Sequence, residues 1–281
     1  MSEGDQRRVS ATFEATEDLL WQAVAGRLPQ LPPLILGRSG FVGPLVELAI
    51  ARMATPDAYH RVTVEPPIFH QIEHALADGV ISGGGAGARD RAGAFPMRLF
   101  DPSTGADNML WDQWAKHAEN AAVSAGLAKG LAAGLMGALG ELQDNIFEHS
   151  GRPATGLVAY GAGNGAFEFV VADAGRGVLA SRRENLEFAH LADSGAALLV
   201  AASDGASRYA GSTGHGYGIG QLFRALAHHT AGLRFRSGDH ALRVWGVAPS
   251  LAGQVELAQK AWLDGLTITI RCAPGQTQPR S

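Results

Sequence analysis

The chain has 281 residues, 46% of them hydrophobic and 18% charged, a balance that allows a sizeable buried core and excludes wholesale disorder. Its formal net charge of −4 argues against a general nucleic-acid or anionic-membrane surface, which needs clustered Lys and Arg; the short basic segments Arg182-Arg183 and Arg234-Phe235-Arg236 read as ordinary solvated edges. A single cysteine, Cys272, excludes an internal disulfide and a cysteine-based zinc site, and with no apolar leader or 18-residue apolar run the expectation is a soluble, cytoplasmic protein.

In chain order, PLILGRSGFVGPLVELAIARMA predicts a short strand, a turn and a helix with an apolar face. VTVEPP reads as a second strand, and IFHQIEHALADG as a short helix ended by Gly79. This first part resembles, distantly, a STAS-like α/β module. The glycine-rich run 81–93 lacks the Lys-Ser/Thr of a phosphate loop and reads as a surface linker. A domain boundary is expected between 95 and 110, where FDPSTGADN brings Pro, Gly and polar residues together. From Met109 a long helical stretch runs to about His149, with a break near 126–134. GLVAY and FEFVVAD then read as two strands of a hairpin.

Four segments carry candidate chemistry. In the helical stretch that ends in GELQDNIFEHS (140–150), Leu131, Leu135, Ala138, Leu142 and Ile146 form one apolar stripe, and Glu141, Asn145 and Glu148 or His149 share a neighbouring face. Asn145 offers a neutral oxygen of the kind that suits magnesium, which keeps several waters and shares substrate phosphates; a structural hydrogen bond is its bland alternative. Glu141, one turn earlier, is placed either to activate an attacking water or hydroxyl as a general base or to orient metal-bound water. In VVADAGRGV, Asp173 ends an apolar strand, where a carboxylate can accept from an adenine amino group, while Gly175 and Gly177 let the backbone approach and turn. In GHGYGIGQL, glycines at 214, 216, 218 and 220 precede an apolar helix, so that backbone amides can wrap phosphate oxygens; His215 and Tyr217 would contact the nucleotide mainly through backbone. GLTITI closes the set as a strand, with Thr267 in place to hydrogen-bond near a bound adenine or its bridging water.

The order and spacing of these segments, from Gly140 to Ile270, resemble the GHKL superfamily of histidine-kinase-like ATPases. The resemblance implies an α/β fold whose C-terminal part (106–275) is a two-layer Bergerat-type sandwich, a mixed sheet with helices over one face. A smaller α/β module (1–105) precedes it and a disordered tail (276–281) follows. It implies ATP and Mg2+ as cofactors, with Asn145 as the metal-binding asparagine, His149 in the aromatic-or-histidine position after it, Asp173, Gly175 and Gly177 as the adenine-selective turn, and Gly214, His215, Gly216, Tyr217 and Gly218 in the phosphate-wrapping lid. The implied function is a nucleotide-dependent regulatory switch with ATP hydrolysis, Glu141 being the catalytic residue. The alternatives are an ATP-dependent protein kinase of the anti-sigma or histidine type and a non-catalytic nucleotide sensor. A regulatory protein partner is expected, and a homodimer is compatible. Two departures stand out: Glu148 occupies a place where histidine kinases carry Lys, and Leu266 separates Gly265 from Thr267. His70-Gln-Ile-Glu73-His74 matches an inverted zinc-protease pattern but lacks a third ligand nearby and is set aside.

Overall fold

A computed structural model describes residues 7–84, 91–103, 108–163, 165–207 and 218–273. Strands β1 (Arg7–Val9), β2 (Leu34–Leu36) and β3 (Val62–Val64) pair in parallel in the order β1-β2-β3. Parallel neighbours need crossovers, which α1 (Phe13–Val24) and α2 (Gly43–Ala54) supply; α3 (Pro67–Asp78) follows β3. Thr12 caps α1, its hydroxyl accepting from the Ala15 amide at 3.2 Å. Gly79 ends α3 in the left-handed conformation, φ 73°, as the predicted stop requires.

The second sheet is built from β4 (Ala92–Pro96), β5 (Leu157–Gly163), β6 (Ala166–Asp173), β7 (Thr230–Val247) and β8 (Gln254–Cys272), in the spatial order β4-β5-β6-β8-β7. Helices α4 (Met109–Ser124) and α5 (Lys129–His149) break apart around Gly126, inside the predicted interval, and α6 (Gly177–Arg183), α7 (Ser194–Ser207) and α8 (Gly218–Ala225) follow β6. The expected α/β sandwich is present, with three corrections of detail. The sheet is antiparallel throughout rather than mixed. Strand β4, on the N-terminal side of the boundary expected at 105, is an edge strand of this second sheet. The N-terminal layer therefore ends at α3.

Both faces of the second sheet are covered, not one. All eight residues of β6 are buried. Phe167, Phe169 and Val171 join a core with α4 and α5, while Val170 and Ala172 join a second core with the helices of the N-terminal layer. A strand apolar at both alternating sets of positions has to be covered twice. The tail after residue 275 and residues 85–90 of the glycine-rich run lie outside the described residues. Among the described residues, no helix is long and apolar enough to cross a membrane.

The two layers are joined by buried polar contacts. Glu168 on β6 accepts from the Val42 and Gly43 amides at 2.8 and 2.6 Å, capping α2, which has no side-chain cap of its own. Arg234 and Arg236 on β7 meet Glu17 of α1 and Glu47 of α2. Arg234 makes a two-pronged bond to Glu47, at 2.7 and 3.1 Å. Arg236 lies 3.5 Å from Glu17, and Glu17 also accepts from the Ala261 amide at 2.6 Å. Glu47 and Arg236 are both 0% exposed, so the solvated edge expected at 234–236 is corrected to a buried ion cluster.

Removing one member of such a cluster leaves an uncompensated buried charge, at a typical cost of about 3–5 kcal/mol, whereas exposed pairs contribute about 0.2–1 kcal/mol. Urea unfolding should therefore show Glu47→Ala losing several kcal/mol. Arg243→Ala, which breaks a half-exposed pair with Glu256 at 3.2 Å, should lose less than about 1 kcal/mol. Equal losses in the two variants would contradict the role given to the cluster.

Candidate functional site

The second half of α5 buries Leu142 and Ile146 in the core and turns Asn145 and His149 toward a cavity of about 490 Å3. The other walls are the end of β6, the part of β8 paired with it and helix α6; Ile219, the second residue of α8, also lines it. Side-chain alternation puts Asp173 on the same face of β6 as Phe167, Phe169 and Val171, the α5 side. It lines the cavity and is 5% exposed. Its Oδ1 accepts from the Gly175 amide at 2.8 Å. Burial pushes the carboxyl up from an ordinary 3.8 to about 6, against the lowering effect of bonds from the Gly175 and Leu266 amides.

The turn after Asp173 is tightly constrained. A Cβ on Gly175 would collide with the Ser150 carbonyl oxygen, and that same oxygen accepts from the Arg176 amide at 2.9 Å. Gly177 has φ +76°, and a Cβ there would stand 2.9 Å from the Ser237 hydroxyl. Ser237 donates to the Gly265 carbonyl at 2.7 Å and accepts from the Val178 amide at 3.0 Å. One hydroxyl thus ties β7, β8 and the start of α6 together under the cavity. Beside it, His149 has its pKa lowered, first by burial and then by Arg182 and Arg176, against the opposite pull of Glu148 and Glu184.

Asn145 and His149 from one segment, and Asp173 and Gly177 from a second, therefore meet at one cavity. Gly175 supports its edge without lining it. Glu141 lies one turn earlier on α5, half-buried, and is not among the lining residues. Thr267 is corrected: it is fully buried and sits between Leu266 and Ile268, which line the cavity. With a side-chain period of two, Thr267 points to the opposite face, the side on which its cross-strand partner Arg236 meets α1 and α2. Gly214, His215, Gly216 and Tyr217 lie outside the described residues, and Gly218 begins α8.

The sequence reading missed Arg182, Asn185 and Phe188, all of which line the cavity. The Arg182 guanidinium lies 5.3 Å from the centre of the Phe188 ring. Its neighbour Arg183 turns away, donating to the Leu191 carbonyl at 2.6 Å. The pair of arginines is thus divided between a site and a loop anchor, and no pattern of spacing in the sequence separates them. As for metals, His74 bonds to Asp78 at 2.9 Å and Glu73 lies 3.5 Å from Arg52. No group of three metal ligands occurs among the described residues. Asn145 remains a single neutral oxygen donor, enough for Mg2+ when phosphates and water supply the other ligands.

The elevated pKa of Asp173 has a consequence for stability. Folding raises the pKa above its unfolded value, so the associated stability is full below about pH 3.8 and is lost as pH rises through about 6. At about 1.4 kcal/mol per pH unit, the buried carboxylate costs about 3 kcal/mol at neutral pH. Asp173→Asn should be more stable than wild type by up to that amount at pH 7.5, and the difference should shrink toward zero by pH 4. Chemical denaturation at the two pH values measures it; a pH-independent difference would contradict the assignment.

Compared with known proteins, the chain matches no family model, no curated protein and no solved structure.

Proposed function

We propose that the chain binds an adenine nucleotide, ATP with Mg2+, in the cavity between α5 and α6, and that it acts as a GHKL-type, nucleotide-dependent regulatory switch. The observation that carries this is the convergence of Asn145, His149, Asp173 and Gly177 on one cavity. They come from segments that adjoin only after folding, and each has the chemistry its place needs. The volume of about 490 Å3 lies within the roughly 300–1,000 Å3 typical of small-molecule sites. Asp173 accepts from the adenine amino group, and the side-chain-free Gly175-Arg176-Gly177 turn lets the base approach. Asn145 holds the metal, which supplies charge neutralisation to the phosphates when bound. A cytoplasmic setting, a protein partner and a homodimeric assembly belong to the same proposal; the first rests on sequence composition and the other two on the resemblance.

A second reading, a nucleotide sensor without turnover, is favoured by one observation. Glu141, the residue assigned to general-base work, is not among the cavity-lining residues, and a general base must come within hydrogen-bond reach of its proton directly or through one water. The Glu141→Ala variant separates the two. Loss of ATP turnover with binding retained supports hydrolysis; wild type that binds but never turns over supports the sensor.

Calorimetry of ATP binding, with and without Mg2+, tests the proposal itself. Wild type should bind, Asp173→Ala should weaken binding at least tenfold, as expected for loss of a charge-assisted hydrogen bond worth about 1.5–3 kcal/mol, and Asn145→Ala should remove the magnesium dependence. Wild type that binds no nucleotide would end the proposal.

A further inference from the structure

A second cavity, of about 210 Å3, lies toward the other end of the antiparallel sheet. Gly161, Glu168 and Arg271 are cross-strand neighbours on β5, β6 and β8, and all three line it. Glu168 stands five residues before Asp173 on β6, about 17 Å away along the strand. The odd separation puts the two carboxyls on opposite faces, so this cavity belongs to the side of the N-terminal layer and is separate from the first. Val42 and Ile68 supply apolar wall from that layer, and Gly163 keeps the sheet side free of bulk.

The charges among the described lining residues are two guanidinium groups, Arg91 and Arg271, against one carboxylate, Glu168. Glu168 is 3% exposed and is committed to the fold: Oε1 holds the Val42 and Gly43 amides, and Oε2 lies 3.4 Å from Arg271 Nη1. Arg271 is fixed in place, 4.1 Å from the centre of the Phe41 ring and donating from Nη1 to the Gly40 carbonyl at 2.7 Å. Both of its side-chain hydrogen bonds among the described residues use Nη1, which leaves Nη2 to meet a ligand oxygen. Arg91, just before β4, brings the positive charge that Glu168 does not balance. We propose that this cavity binds a small organic monocarboxylate, its carboxylate held by Arg91 and Arg271 and its short apolar chain against Val42 and Ile68. One net positive charge matches one carboxylate, and planar guanidinium donors suit its two oxygens. A phosphate dianion brings one charge too many beside a buried glutamate. The proposal does not depend on the nucleotide site.

Butyrate is the probe, titrated calorimetrically at millimolar concentrations into the full chain, beside its neutral counterpart butyramide and inorganic phosphate. Wild type should bind butyrate at least tenfold more tightly than either, the discrimination expected of a charge-assisted hydrogen bond. Two variants locate the site while keeping the bonds of Glu168 and Arg271. Arg91→Gln should weaken butyrate by about 10- to 100-fold. Gly163→Leu should block the cavity: a Cβ there meets nothing within 4 Å, so the new side chain has room to fill the space. Thermal melting confirms that both variants fold. Wild type that binds no butyrate overturns the proposal. So does butyrate binding that neither variant weakens, which makes the probe adventitious and places it elsewhere. Phosphate binding more tightly than butyrate overturns the ligand class. A chain that binds butyrate in this way but no nucleotide loses the function proposed above and keeps this site.

Discussion

Most of this structure follows from a central sheet that is apolar on both faces. Strand β6 alternates Phe167, Phe169 and Val171 on one side with Val170 and Ala172 on the other, and both sets are buried. One layer of helices cannot cover such a sheet. The N-terminal βαβαβ layer therefore packs on it as a second cover, with α1 and α2 against β8 and α2 also against β6. What reads in the sequence as a smaller preceding module shares a core with the rest. Arginines on the inner face of β7 come with this arrangement and are acceptable only because Glu17 and Glu47 arrive from that layer to meet them. Glu168 makes the reverse connection, from the sheet to the start of α2.

The cavity lies where this packing opens. α5 runs along the other face of the sheet and ends at Ser150, whose carbonyl rests against the Gly175 turn; α6 leaves from the same turn. Between them the end of β6 and the part of β8 paired with it present Asp173, Leu266 and Ile268. A carboxyl in that position is costly when ionised, and the bonds from the Gly175 and Leu266 amides offset the cost only in part. Groups held at such an energetic disadvantage concentrate at functional sites, which is why Asp173 rather than the more exposed acids nearby anchors the functional proposal.

The parts of the fold that were legible in the sequence are those governed by short-range periodicity. The β5–β6 hairpin, the interruption between α4 and α5, the helix stop at Gly79 and the common face of Asn145 and His149 all depend on neighbours within a few residues. The misreadings have one cause in common. Arg234 and Arg236 looked solvated because their partners lie on α1 and α2, about two hundred residues away in the chain. Thr267 was placed beside the adenine because its segment matched, but the strand register that turns it toward Arg236 is set by pairing with β6 and β7. Arg182 and Arg183 are adjacent and alike, and only their surroundings separate a cavity residue from one that bonds to the Leu191 carbonyl.

By itself, then, the sequence determined the class of fold, most of its elements and the chemistry available at Asn145, His149, Asp173 and Gly177, because helix and strand periods and turn chemistry are local properties of the chain. Tertiary structure alone decided that the sheet is antiparallel and covered twice, that Glu141 is not among the cavity-lining residues, that Thr267 faces the ion cluster and that Arg182 enters the site. Each of these depends on which distant surface a side chain meets, and that is settled by strand register and layer packing rather than by neighbours in sequence.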